Sequence, residues 1–173
     1  MRCMKLIDTL VYIVVSFYFT QANAQFFDLT EIKNWRIVGE SDGNKKICHA
    51  IMTPYRKKQL IGNVNDPKFI VSYKDHLSYS ISFSVMSTLL DSQQSVKLFL
   101  NDREYILKVQ NHGQNAITYS SEQDVDIIND LISGPYTFKI KSETADGDVG
   151  IIYFASLGLQ EAIQYMEKNC KKL

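Results

Sequence analysis

Apolar and polar residues alternate with a period of two along much of the chain. Lys46 to Thr53 sets Cys48, Ala50 and Met52 on one face and Ile47, His49 and Ile51 on the other. Pro54 ends this strand, because proline cannot donate to a ladder. Tyr79, Ile81, Phe83 and Val85 alternate with Ser80, Ser82 and Ser84, the pattern of a strand with one wet face. Trp35–Val38 reads as a short first strand, and Phe69–Tyr73 as another. Val96–Leu100 and Tyr105–Val109 flank the turn residues Asn101 and Asp102, so they are expected to form a hairpin. Ala116–Tyr119 is a weaker strand signal. Tyr136, Phe138 and Ile140 alternate again, and Val149–Ala155 is largely apolar. Ser41–Asn44 and Asn63–Pro67 have turn composition, and Tyr55–Lys58 reads as a polar, basic loop.

The period changes twice. From Glu122 to Ile132 the apolar residues Val125, Ile128, Leu131 and Ile132 fall at helical spacing, with Ser120 or Ser121 as cap and Gly134 and Pro135 as stop. Near the end, Leu159, Ala162, Ile163 and Met166 form an amphipathic helical stripe. About eight short strands, one internal helix and a C-terminal helix predict an antiparallel β-sandwich or barrel-like domain.

The first residues have a different character. Arg2 and Lys5 precede the apolar run Leu10–Phe19, and Ala22, Asn23 and Ala24 follow as a small-residue site. This is the secretory pattern, with residues 1–24 as signal peptide and 25–173 as one exported domain. An uncleaved anchor is the competing reading, but the run is short of the roughly 20 apolar residues needed to span a bilayer. No later stretch is long and apolar enough to span once the signal is removed.

The 19 basic and 19 acidic residues balance, which argues against a broad nucleic-acid-binding face. Of the three cysteines, Cys3 leaves with the signal. Cys48 and Cys170 remain as an even pair in an oxidising compartment and read as one disulfide, with two free buried thiols as the competing reading.

Candidate chemistry is sparse. His49, His76 and His112 lack the close spacing of a metal site, and no G-x-S-x-G nucleophile motif occurs. Glu122, Asp124, Asp126 and Asp130 read as the solvated face and acid-rich start of a helix. Asp146, Gly147 and Asp148 read as a turn, since a calcium loop needs more ligands. No cofactor or metal is expected. Tyr55, Arg56, Lys57 and Lys58 are the candidates for surface recognition of an anionic lipid or glycan, with an ordinary solvated loop as the favoured competing reading.

The order of several short segments resembles the invasion-associated locus B family of small exported bacterial envelope proteins. These are Trp35; Ile47, Cys48, His49 and Ala50 followed by Pro54; Asp66, Pro67 and Lys68 leading into Phe69–Ser72; Lys139–Ser142; and Ala155–Gly158 followed by Ala162 and Cys170. Asp146–Asp148 departs from the Arg-Gly-Thr common in that family. The resemblance implies a periplasmic or outer-membrane-associated β-sandwich and supplies no catalytic residues. The expectation is therefore an exported, non-enzymatic binding module with an envelope or host-surface partner, in a setting of host-cell interaction or invasion. The alternative is an enzyme or enzyme modulator acting on envelope material. A histidine within hydrogen-bond reach of a serine or an acid in a pocket would favour that alternative.

Overall fold

The computed structural model describes residues 25–42, 45–58, 66–73, 78–85, 90, 95–110, 113–134, 137–143, 145 and 149–170, with backbone only at 25, 42, 45, 46 and 56–58. The expected signal segment 1–24, His76, His112, the Asp146–Asp148 turn and parts of the Ser41–Asn44 and Asn63–Pro67 turns lie outside these residues.

The chain runs through β1 (Gln25–Ile32), β2 (Trp35–Asp42), β3 (Lys45–Met52), β4 (Arg56–Lys58), β5 (Lys68–Tyr73), β6 (Tyr79–Ser84), β7 (Val96–Leu100), β8 (Arg103–Gln110), β9 (Asn115–Ile117), α1 (Ser121–Ser133), β10 (Thr137–Glu143), β11 (Val149–Ala155) and α2 (Leu159–Asn169). Among the described residues, 11 strands form one antiparallel sheet in the order β1-β2-β3-β5-β6-β9-β8-β7-β10-β11-β4. The fold is mainly β with an internal and a C-terminal helix, as the periodicity predicts. The hairpin of Val96–Leu100 with the following strand is present, Leu100 facing Arg103 across the turn.

The sheet folds at β8. Arg103–Leu107 pairs with β7, while Lys108–Gln110 pairs with β9. A strand that changes partner along its length makes the corner of a two-layer packing. One layer contains β1, β2, β3, β5, β6 and β9; the other contains β7, β10, β11 and β4.

Aromatic residues join the two layers. The Phe69 ring on β5 lies 4.9 Å from that of Phe138 on β10 and 5.9 Å from that of Phe154 on β11. Phe83 on β6 meets Phe154 edge-on. Trp35, Phe69, Phe83 and Phe154 are completely buried. Large rings bury the most apolar area per residue, which makes this cluster the centre of the core. The predicted inward face of β3 is correct, since Cys48, Ala50 and Met52 are all buried.

α1 packs against β6 of the first layer and β7 of the second, and α2 packs against the first layer. α2 buries Leu159, Ala162, Ile163 and Met166, the predicted stripe, against β2, β3 and β5. Its end is tied down by the Cys48–Cys170 disulfide, with Cα atoms 6.2 Å apart. The predicted pairing is therefore present, and the reading of two free thiols is excluded.

α1 begins at the predicted cap, with the Ser120 hydroxyl accepting the Gln123 N–H at 3.3 Å. Its buried face differs from the predicted one. Asp124, Ile127, Ile128 and Leu131 point inward, while Val125 and Ile132 are exposed. The cause is Asp124, which is not on a solvated face. Its carboxylate is buried, accepting the Ile81 N–H at 2.8 Å and the Thr118 hydroxyl at 2.6 Å. Turning Asp124 toward β6 carries Val125 outward, because adjacent helical residues point about 100° apart.

Two strands lie outside the sequence pattern. In β1, the register against β2 shifts between Asp28 and Thr30, so an irregularity resets the alternation halfway along. β4 occupies the stretch read as a loop, and its formation is explained by what it pairs with.

Candidate binding surface

β3 ends before Pro54, and the chain turns at Tyr55 onto the outer edge of β11. The Tyr55 N–H donates to the Tyr153 carbonyl at 3.2 Å. Arg56, Lys57 and Lys58 then pair with Tyr153, Ile152 and Ile151. The loop reading of Arg56–Lys58 is thus replaced by a three-residue edge strand. A backbone edge left by β11 needs hydrogen-bond partners, and a short lysine-rich strand satisfies it without inviting further pairing. Composition cannot reveal that partner, because β11 lies about 100 residues away in sequence.

Tyr55 is 57% exposed, and its ring lies 6.5 Å from that of Tyr153. It stands on the rim of a depression of about 450 Å³, lined among others by Trp35, Arg36, Met52, Pro54 and Lys68. The cations around the depression are compensated. Arg36 donates to both carboxylate oxygens of Asp28, at 2.8 and 2.6 Å. Lys33 pairs with Glu161, and Lys68 with Asp66 at 2.9 Å. The Arg36 hydrogen bonds hold the Asp28 carboxyl below its ordinary range, and the Lys33 hydrogen bond does the same for Glu161. The depression therefore offers polar groups and an aromatic rim but little uncompensated charge.

Of the histidines, only His49 is among the described residues. It lies on the outer face of the first layer, in the cross-strand row Val38, His49, Ser72 and Ser80. His49 Nε2 is 2.9 Å from Glu40 Oε2, and Nδ1 is 2.8 Å from Ser72 Oγ. An acid, an imidazole and a serine in sequence have the order of a nucleophile relay. The setting differs from that of a nucleophile. Ser72 is buried, and both sides of its strand are paired, to β3 and to β6. The ladder N–H groups flanking it are thereby committed, so they do not form an oxyanion site. The depression at Tyr55 opens elsewhere, without lining by His49 or Ser72. Neither Glu40 nor Ser72 stands near His49 in sequence; only the register identifies them as partners.

Of the other acids of α1, Glu122 and Asp126 are exposed, as expected of a solvated face, and Asp130 is tied to β8. Asp130 accepts the Tyr105 hydroxyl at 2.7 Å and pairs with Arg103 at 3.2 Å. Among the described residues, no group of three or more His, Cys, Asp and Glu side chains is placed to hold a metal ion, and no helix is long and apolar enough to cross a membrane.

Searches against protein-family models, curated proteins and solved structures find no match to this chain.

Proposed function

We propose that the chain is an exported binding module of the cell envelope, recognising a protein or surface partner around Tyr55 and without catalysis of its own. The single observation that carries this reading is the exposed Tyr55 ring, held against Tyr153 on the rim of the depression. An exposed aromatic fixed at the edge of a concavity presents large contact area at low entropic cost. The secretory pattern of residues 1–24, the cysteine pairing and the segments resembling the invasion-associated locus B family support an envelope location. Interaction with a host cell is the setting that resemblance implies.

The test is photo-crosslinking in intact cells, with a photoreactive residue at position 55 and a control at Val125, which is exposed on α1. A discrete adduct at 55 and none at 125 is the expected result. Equal or absent capture at both positions overturns the proposal.

The Glu40–His49–Ser72 chain favours one second reading, hydrolysis of envelope material. A fluorophosphonate probe tests it. The binding reading predicts no labelling of Ser72; labelling that disappears in His49→Ala would establish the enzyme instead.

A further inference from the structure

The second layer has an outer face that no single stretch of sequence announces. On β10, Phe138 and Ile140 point into the core, so Lys139 and Lys141 point outward, and both are exposed. Register sets Lys139 between Phe99 on β7 and Tyr153 on β11. Arg56 of β4 continues this row beyond Tyr153. The next row places Lys141 directly opposite Lys97, and Lys58 beyond Ile151. Five basic residues from three separate segments thus share two adjacent rows.

Two features make this arrangement more than a solvated surface. Lys97 and Lys141 are like charges set directly opposite each other, which destabilises a strand pair. Lys97 leans to Glu104 at 2.7 Å, while Lys141 has no ion pair among the described residues. Lys139 holds its ammonium 4.8 Å above the Phe99 ring, so cation and aromatic form one unit on this face. Glu143, at the end of β10, is the other acid on this face among the described residues.

We infer that this face binds an acidic polysaccharide, with Lys139 and Lys141 contacting its carboxylate or sulfate groups and Phe99 and Tyr153 its sugar rings. Phe99 and Tyr153 stand two strands apart, about 10 Å, which matches the repeat of a disaccharide. The charge complementarity defines an anionic occupant, and three observations select a polysaccharide. Phe99 and Tyr153 are half-buried and line a depression of about 230 Å³ together with Lys139, rather than projecting as a bilayer wedge does. The chain as a whole is electrically neutral, so it lacks the field that concentrates a densely charged polyphosphate. A cation carried over one ring, with a second ring two strands away, suits a polymer carrying one charge every one or two sugars. This inference rests on the reading of the chain as a binding module, and it names the ligand class and a face that adjoins Tyr55 through Tyr153.

The test uses the chain from residue 25 onward in native gels containing polygalacturonate, heparin or neutral dextran, and in flotation with vesicles of phosphatidylglycerol. Retardation by one or both acidic polymers, weakened by added salt and absent with dextran, is expected. Lys139→Gln with Lys141→Gln should weaken it about tenfold, with an unchanged melting temperature as the folding control. No retardation at low salt, or equal retardation of the double variant, overturns the inference, as does binding to vesicles with none to the polymers. Tyr55→Ala separates the two proposals. If it retains polymer binding and position 55 captures nothing in cells, the polysaccharide face stands and the Tyr55 site fails. Capture at 55 with no polymer binding upholds the Tyr55 site and overturns the polysaccharide face.

Discussion

The carboxylate of Asp124, on the first turn of α1, accepts the backbone N–H of Ile81 at 2.8 Å. β9 pairs with β6 only from Ser82 to Ser84, so Asp124 takes over as acceptor where the neighbouring strand ends. Helix and sheet are joined by this contact, and the Thr118 hydroxyl completes it at 2.6 Å.

Asp124→Ala leaves the Ile81 N–H buried without its acceptor. Stability should fall by about 2–3 kcal/mol in urea unfolding, the cost of an orphaned group that had bonded a charged partner. Asp124→Asn keeps an acceptor oxygen and should lose less. Equal stability of Asp124→Ala and the native chain would show that the contact carries little of the docking of α1.

The disulfide closes a loop with a sequence separation of 122. Loop-closure entropy assigns such a bond about 4–5 kcal/mol. Cys48→Ser with Cys170→Ser should therefore lower the melting temperature strongly. Amide exchange should rise first in α2, whose C-terminal end loses its anchor. Uniform acceleration across the sheet with α2 still protected would refute the anchoring role.

Tyr79 on β6 donates its hydroxyl to Glu167 on α2 at 2.5 Å. Burial, followed by this hydrogen bond, raises the phenol above its ordinary value of 10.0. The folded state thus holds the proton more tightly than the unfolded state. The contribution to stability is complete below about pH 10 and is lost as the pH rises above it. The stability difference between the native chain and Tyr79→Phe should be constant through neutral pH and shrink in alkali. A difference that grows in alkali would reverse the assignment.

β4 lies at the edge of the sheet, and its pairing with β11 uses backbone groups. Replacing Arg56, Lys57 and Lys58 together by Ser should change stability by about 0.5 kcal/mol, a shift of only a few degrees in melting temperature. A larger fall measured by calorimetry would show that these side chains are structural.

The sequence by itself determined the β-rich class, the inward face of β3, both helices, the stripe of α2 and the cysteine pairing. Each of these rests on local period or on a count: Cys48, Ala50 and Met52 alternate, Leu159, Ala162, Ile163 and Met166 repeat at helical spacing, and only two cysteines follow Ala24. Tertiary structure decided what depends on neighbours distant in the chain. Arg56–Lys58 is a strand because β11 offers an edge, and Asp124 is buried because β9 stops short of Ile81. Glu40, His49 and Ser72 form a chain because β2, β3 and β5 are in register. Lys97, Lys139 and Lys141 share a face with Phe99 and Tyr153 for the same reason. Periodicity states which side of a strand a residue occupies, whereas register states what lies beside it, and register is set by the packing of the whole sheet.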